Sequence, residues 1–385
     1  MTQRPIGLLK YSFDKFINRQ EEIEKVMKKA NALMQGSPAD NKRTIIFAGE
    51  RGTGKTWLLD HLQKIIRSSF PAATVFKFDL SGYADRDPTW AVLDILKRLN
   101  AMTEKQDAEL GTSPADMSRN LMHKIQPLLR KKGLFLLVDH VYESDWKLLA
   151  ALEEYLLGPL AVEPRVLIVM AGRGRPYPWK RPELRLKAEF VDLKPFPDVA
   201  TTTEQLKCQQ EQALARAAEI HNLSGGNPLA NFLLAAQDNT AAALDQVVDG
   251  MLDTVPKEHR QRVRKQLEAL SVLRAFDEER IPTMLATYYN EDQRLKWSYA
   301  QSRGVREELV KWAFAHWDAD RGGYVLDELT RKLLERYLQI AQPDRWKRLQ
   351  QTASKLYGEW AHDYPRTRER WQQEVRYHDQ QLQAN

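Results

Sequence analysis

The sequence predicts an α/β fold: a parallel-sheet core followed by a helical half. Short apolar runs recur between residues 44 and 193, and stretches of helical periodicity separate them. That alternation indicates a parallel sheet covered on both faces. Beyond Pro197 the strand signals nearly vanish and helical patterns take over. Between the first apolar run and the first helix lies a loop of three glycines, a lysine and a threonine, Gly49 to Thr56.

The elements follow in order. Ile45 to Ala48 is a buried strand ended by Gly49, and WLLDHLQKIIRSSF then places apolar residues at 58, 59, 62, 65 and 66, a helical spacing. TVFKFDL (Thr74 to Leu80), LFLLVDH (Leu134 to His140), RVLIVMAG (Arg165 to Gly172) and AEFVDL (Ala188 to Leu193) read as further strands. TWAVLDILKRLNAM, SRNLMHKIQPLLRKK and DWKLLAALEEYLL read as the helices between them. Gly111 to Pro114 reads as a loop, and Pro176, Pro178 and Pro182 make the segment after the Arg165 strand irregular. These signals give an N-terminal segment with a leading helix (1–39) and an α/β domain (40–196). TTTEQLKCQQEQALARAAEIHNL reads as one long helix, broken by Leu223-Ser224-Gly225-Gly226-Asn227-Pro228, within a helical domain (197–255). Residues 256–342 read as helices and a small hairpin turning at Asp320-Arg321-Gly322-Gly323, the make-up of a winged-helix module. Pro343 starts a last helical segment (343–385), and six of the ten tryptophans lie from Trp297 onward, large rings to be buried.

Length and composition bound the function. A chain of 385 residues exceeds one ordinary core, so two to four domains are expected. With 43% hydrophobic and 29% charged residues it reads as a soluble globular protein. No apolar run reaches the length of a bilayer span, and MTQRPIGLLKYSFDKF has neither the apolar core nor the cleavage site of a signal peptide. A lone cysteine, Cys208, excludes a disulfide framework and an all-cysteine zinc site. A reducing, cytoplasmic setting without membrane partners is therefore expected. The net charge of +6 is mild for this size and permits acidic partners without demanding them.

Gly49-Glu50-Arg51-Gly52-Thr53-Gly54-Lys55-Thr56 matches G-x-x-x-x-G-K-[ST], the phosphate-binding loop. Glycines let the backbone curl so that successive N–H groups point at phosphate oxygens, and the following helix adds its positive end. Lys55 is expected to reach the β- and γ-phosphates and the Thr56 hydroxyl to ligate Mg²⁺. Asp139 ends a buried strand, where open α/β sheets bind ligands, and is expected to be the second magnesium carboxylate. His140 stands where hydrolytic relatives place a second acid to orient the attacking water. It can polarise water by other means, with Glu143 and Asp145 nearby as substitutes, so turnover is expected to be slow. Trp57, next to Thr56, either packs its helix against a neighbour or stacks on a base.

Taken together these residues resemble the STAND class of signal-transduction ATPases, the AAA+-related group of NB-ARC and NACHT switches, over roughly Phe16 to Arg336. Phe16-Ile17-Asn18-Arg19-Gln20-Glu21-Glu22 is similar to the leading motif, a hydrophobic pair then Gly-Arg-x-x-Glu, with Asn18 at the glycine. Arg173 sits where the class keeps a sensor arginine for the γ-phosphate. Gly225 to Leu229 resembles the lid motif whose proline, here Pro228, packs near adenine. Val325-Leu326-Asp327 occupies the place of a Met-His-Asp latch, with Leu326 at the histidine. WQQEVRYHDQQL, Trp371 to Leu382, resembles the opening helix of a sensor repeat array. The resemblance implies bound ATP or ADP with Mg²⁺, Arg19 near the nucleotide, a slow Mg-dependent ATPase, nucleotide control of domain arrangement, and self-association or a partner signalling protein.

A second reading is a DNA-acting AAA+ ATPase similar to origin-recognition loaders, with the basic run Lys257 to Lys265 facing DNA. The plainer reading of that run is a solvated helix face. A metabolic kinase fits less well, because the helical half shows no second substrate motif. The eight histidines, His123 and His221 among them, have no metal-ligand spacing, and no base stands beside Cys208.

Overall fold

The computed structural model describes residues 11–36, 42–83, 86–102, 111–129, 132–142, 144–173, 177–236, 240–252, 255–290 and 298–383. Glu143, Pro176 and Trp297, singled out above, lie outside the described residues. The described residues divide into two compact units, one ending at residue 194 and the other starting at residue 195.

The first unit runs α1 (Gln20–Gln35), β1 (Thr44–Ala48), α2 (Lys55–Ser69), β2 (Thr74–Asp79), α3 (Pro88–Ala101), α4 (Pro114–Leu129), β3 (Leu134–Asp139), α5 (Trp146–Leu152), α6 (Gly158–Ala161), β4 (Val166–Gly172), α7 (Pro182–Arg185) and β5 (Ala188–Asp192). Its five strands form one parallel sheet in the order β2-β3-β4-β1-β5. The central strands β3 and β4 are buried along their whole length, which explains their unbroken apolar runs; the edge strand β5 alternates. Two apolar layers flank the sheet. One places Ile46, Leu136, Val138 and Ile168 against α3, α4 and α5; the other places Ile45, Phe47, Leu137 and Val169 against α1 and α2. Since side chains alternate along a strand, each strand feeds both layers. β1 is flanked by the last two strands to form, so the chain arrives on both sides of it. Such a switch point leaves a crevice at the carboxyl edge of the sheet, and β1 ends at the phosphate-loop sequence.

The helical stretch expected over DWKLLAALEEYLL forms α5 and then a wider π turn over Glu153–Leu157, and α6 continues it. Glu153 explains the adjustment: it is buried, and its Oε1 accepts the N–H groups of Lys180 and Arg181 at 2.6 Å.

The second unit runs α8 (Val199–Gln209), α9 (Ala217–Ser224), α10 (Pro228–Ala235), α11 (Thr240–Met251), α12 (Lys257–Leu270), α13 (Arg280–Tyr289), α14 (Tyr299–Lys311), β6 (Ala315–Asp318), β7 (Gly323–Leu326), α15 (Glu328–Ala341), α16 (Pro343–Asp363) and α17 (Arg368–Gln383). The single helix expected over 201–223 is broken: Gln210 is buried and leaves the helical conformation (φ −155°, ψ 69°), and a 3-10 stretch over Glu211–Arg216 precedes α9. No glycine or proline marks the break; it lets Ala213, Ala217 and Ile220 turn into the core. β6 and β7 pair antiparallel through the Gly322-Gly323 turn, and a bridge from Phe276 to Tyr324 adds a third short segment. Asp327 caps α15 by accepting the Thr330 N–H at 3.0 Å. α16 and α17 form a helical hairpin holding the late rings: Trp346 and Tyr357 are fully buried, and Trp360 and Trp371 pack edge to face at 5.2 Å. Among the described residues, no helix is long and apolar enough to cross a membrane.

Candidate functional site

The loop after β1 has the geometry its glycines predict. Gly52 and Gly54 take left-handed backbone angles, φ +81° and +94°. Gly49 is required for space as well: a Cβ there would lie 2.6 Å from the Leu193 carbonyl oxygen. Thr53 is fully buried and its hydroxyl donates to the Glu50 carbonyl at 2.9 Å. The buried Lys55 ammonium donates to the carbonyls of Gly49 and Glu50 at 2.7 and 2.6 Å. α2 starts at Gly54 with no side-chain cap, whereas Asp87 and Asp145 cap α3 and α5. Its first N–H groups and dipole end are thus directed into the loop rather than at a capping side chain.

Arg19 holds this loop from outside. Asn18 and Arg19 both take left-handed angles, φ +63° and +73°, the conformation that explains why a glycine would suit position 18. Arg19 is buried, and burial lowers its pKa. One Nη2 donates to the Thr53 carbonyl at 3.0 Å and to the Lys194 carbonyl at 2.5 Å. The guanidinium therefore ties the loop to the end of the sheet domain. Trp57 meets the Tyr11 ring edge-on at 5.8 Å. Phe16 stacks on His61 at 4.2 Å, so the leading motif lies along α2.

Strand order brings the acidic residues to the same carboxyl edge. Asp139 ends β3 and Asp79 ends β2 in register with it, while Arg173 follows β4, between β3 and β1, and is buried. Asp139 is 2% exposed. Its Oδ1 accepts the His140 N–H at 3.0 Å, and its buried Oδ2 makes no hydrogen bond. Burial pushes the Asp139 carboxyl above the usual range, against the pull of His140 and the Thr56 hydroxyl. A buried carboxylate oxygen with no donor fits a bound cation, and an all-oxygen set of Thr56 and Asp139 suits Mg²⁺.

Asp79 is a site residue that motif reading missed. His140, itself left-handed at φ +54°, places Nδ1 2.9 Å from Asp79 Oδ1 and 3.7 Å from Asp139 Oδ1. Its signal was the one that marked Asp139, a carboxylate closing an apolar strand; adjacency of β2 to β3 was the missing fact. Pro228 belongs to the other unit. There Asn227 caps α10 through Leu229 and Ala230 at 3.1 Å, and Gly226 passes so close to Phe196 that a Cβ would meet its carbonyl at 2.2 Å.

No family profile matches the chain, and no curated protein matches it. Solved structures do. The ORC1 protein of Aeropyrum pernix in complex with DNA aligns over 85% of this chain and 93% of its own, with TM-score 0.45 and 13% identity. A STAND protein with a tetratricopeptide repeat sensor from Pyrococcus horikoshii aligns over 94% of this chain but 54% of its own, with TM-score 0.37 and 15% identity. Thermotoga maritima RuvB aligns over 85% and 97%, with TM-score 0.40 and 17% identity. The fold assignment stands on the chain itself: the loop geometry after β1 and the strand order make the first unit a P-loop NTPase core.

Proposed function

We propose that this protein is an ATP- and ADP-binding switch with slow hydrolysis. The observation that carries the reading is the curled loop around Lys55 at the same sheet edge as the orphaned Asp139 oxygen. Loop amides and the α2 terminus receive the phosphates, and Lys55 exchanges loop carbonyls for phosphate oxygens. Thr56 and Asp139 hold Mg²⁺, which when bound neutralises charge on the β- and γ-phosphates. His140, oriented by Asp79, positions the attacking water in place of a second acid, and Arg173 reads the γ-phosphate. Glu50, Arg51, Gly52 and Thr53 line the cradle, and Arg19 keeps it in shape.

Downstream, Pro228 serves as the lid residue toward adenine, and α12–α14 with the β6–β7 hairpin form a winged helix. ATP and ADP then favour different arrangements of the two units and different states of self-association. A hundredfold preference of one nucleotide for one arrangement supplies about 2.7 kcal/mol. Supporting the switch over the DNA reading is the state of the basic run. Arg264 is committed to Asp245, Asp249 and Glu268, and Arg262 to Glu308, so these guanidiniums are already paired. Lys257, Gln261 and Arg262 lie on the solvated face expected from sequence, whereas Arg264 sits in a part-buried carboxylate cluster.

Calorimetry and light scattering test this. ADP and a non-hydrolysable ATP analogue should each bind with magnesium, Lys55→Ala should abolish both heats, and the two nucleotides should give different mass or shape. Absence of binding, or identical scattering in both states, overturns the switch. Tight, salt-sensitive and sequence-tolerant retention of duplex DNA would favour the loader reading instead.

A further inference from the structure

The geometry points to a second anion site, in the C-terminal unit, that takes a small oxyanion of the phosphate class. A cavity of about 230 Å³ lies between the segment leading into α13, the β6–β7 turn and the α16–α17 hairpin. Four guanidiniums line it, from Arg274, Arg280, Arg321 and Arg370, beside the rings of Tyr357 and Trp371. Two carboxylates, Asp320 and Glu374, also line it, and Asp318 Oδ2 stands 3.8 Å from Arg321 Nε. Glu374 is already spent on Arg274, through paired contacts of 2.8 and 2.9 Å.

Arg280 is the decisive residue. It is 3% exposed, and aromatic rings cover its guanidinium: Trp360 at 4.3 Å, Trp371 at 5.2 Å and Tyr357 at 5.5 Å from the ring centroids. Rings occupy the faces of the plane, so the N–H edges are left for hydrogen bonds. Yet Nε and Nη1 make none. Asp277 Oδ2 lies 3.2 Å from Nη1, near enough for charge pairing but not aligned as an acceptor. Buried unpaired donors are costly, and their persistence beside a cavity calls for a ligand that supplies acceptors. Arg370 reinforces this. It stacks on Trp371 at 4.8 Å and makes no ion pair among the described residues. Arg321 reaches the rim, donating to the Arg274 carbonyl at 3.0 Å.

The ligand class follows from charge and size. Arg370, without an ion pair among the described residues, and the unbonded N–H groups of Arg280 offer donors to an anion, and guanidinium forks match phosphate oxygens. The cavity is smaller than the ~300–1,000 Å³ of sites for drug-sized molecules, so it admits a phosphate group, free or as the end of a larger molecule. Bound there, the anion would cross-link the β6–β7 turn to the α16–α17 hairpin.

The test uses the full chain carrying Lys55→Ala, so that the phosphate loop does not report. Sodium phosphate is titrated at ionic strength held constant with chloride, and AMP is titrated in parallel. Tryptophan fluorescence, sensitive to Trp360 and Trp371, and thermal unfolding are the readouts. The expected result is a saturable change for phosphate, AMP or both, weakened at least tenfold by Arg370→Gln and by Arg280→Lys, with Arg370→Gln unchanged in circular dichroism. Tighter binding of AMP than of phosphate identifies an ester as the source, and equal binding identifies the free ion. A response that fails to saturate, or one of equal strength in the Arg370→Gln protein, overturns the site.

Discussion

His140 Nδ1 lies 2.9 Å from Asp79 Oδ1, so the residue after the buried Asp139 is tied to the terminal carboxylate of the neighbouring strand. A carboxylate on one ring nitrogen fixes the orientation and tautomer of an imidazole and leaves the other nitrogen for chemistry. Burial works to raise the Asp79 pKa, but the His140 contact and the Ser81 N–H outweigh it and hold the carboxyl at about 2. Asp79 thus stays ionised through the neutral range, and its contribution is lost only as pH falls toward 2. Asp79→Ala should slow ATP turnover about tenfold while leaving ADP affinity nearly unchanged. Comparing single-turnover rates with equilibrium titrations checks this; equal losses in both would mean that Asp79 supports the fold of the loop and not the chemistry.

The phosphate loop was legible because backbone chemistry dictates its residues: a curl of N–H groups needs glycine at particular positions, and Gly49, Gly52 and Gly54 occupy them. The central strands were legible for a similar reason, since burial on both faces leaves continuous apolar runs. The hairpin announced itself through Gly322-Gly323. What escaped was non-local. That Arg19 grips the Thr53 and Lys194 carbonyls depends on chain separations of 34 and 175 residues, and no local pattern encodes them. The break at Gln210 and the π turn at Glu153 answer to tertiary packing and buried hydrogen bonds, which override helix periodicity without leaving a glycine or proline behind.

Gly49 combines a close approach with a positive φ of +155°, whereas Gly54 carries backbone strain alone. Gly49→Ala meets the Leu193 carbonyl at 2.6 Å, a contact that forces the loop away from the sheet end. Gly54→Ala meets nothing within 4 Å but must hold φ +94°. The first change should cost about 3 kcal/mol, in the range of overpacking, and the second about 1–2 kcal/mol, the left-handed penalty alone. Urea unfolding monitored by circular dichroism ranks them, and an equal or reversed order would refute the close approach at Gly49.

Arg264 is the hub of the α12 cluster, with Nε on Glu268 at 2.7 Å and Nη1 on Asp249 at 2.6 Å. Asp245 and Asp249 are substantially exposed and lose little if abandoned, whereas Glu268 is buried and also accepts the Tyr288 hydroxyl. Arg264→Leu strands that carboxylate and should destabilise the C-terminal unit by about 3 kcal/mol. Pairing it with Glu268→Gln should recover much of the loss, because the amide no longer carries the buried charge. A double variant no better than Arg264→Leu would show that packing, not charge, sets the cost.

His378 makes the C-terminal hairpin acid-sensitive. It is fully buried on α17, stacked on Tyr357 at 5.5 Å, and its Nδ1 lies 2.6 Å from Gln350 Oε1. Gln350 donates its own N–H to Glu335 at 2.9 Å, so its oxygen is the acceptor and Nδ1 carries the proton. Nε2 is buried with no partner. Burial foremost, with the charges of Arg274 and Arg331, lowers the imidazole pKa to about 3. Below the unfolded value near 6.5 the unfolded chain takes up a proton that the folded chain refuses. Stability should therefore fall as pH drops from 6.5 toward 3, by at most about 1.4 kcal/mol per pH unit from this group. Glu335 acts with the opposite sign, since burial raises its carboxyl pKa, so the histidine's share is read from the difference in slope between the parent and His378→Phe. His378→Phe keeps the stack and loses the Gln350 bond, costing about 1 kcal/mol at pH 7.5 while flattening the slope between 6.5 and 5.5. Urea midpoints by tryptophan fluorescence at those three pH values measure both effects, and a variant as steeply pH-dependent as the parent would place the acid response elsewhere.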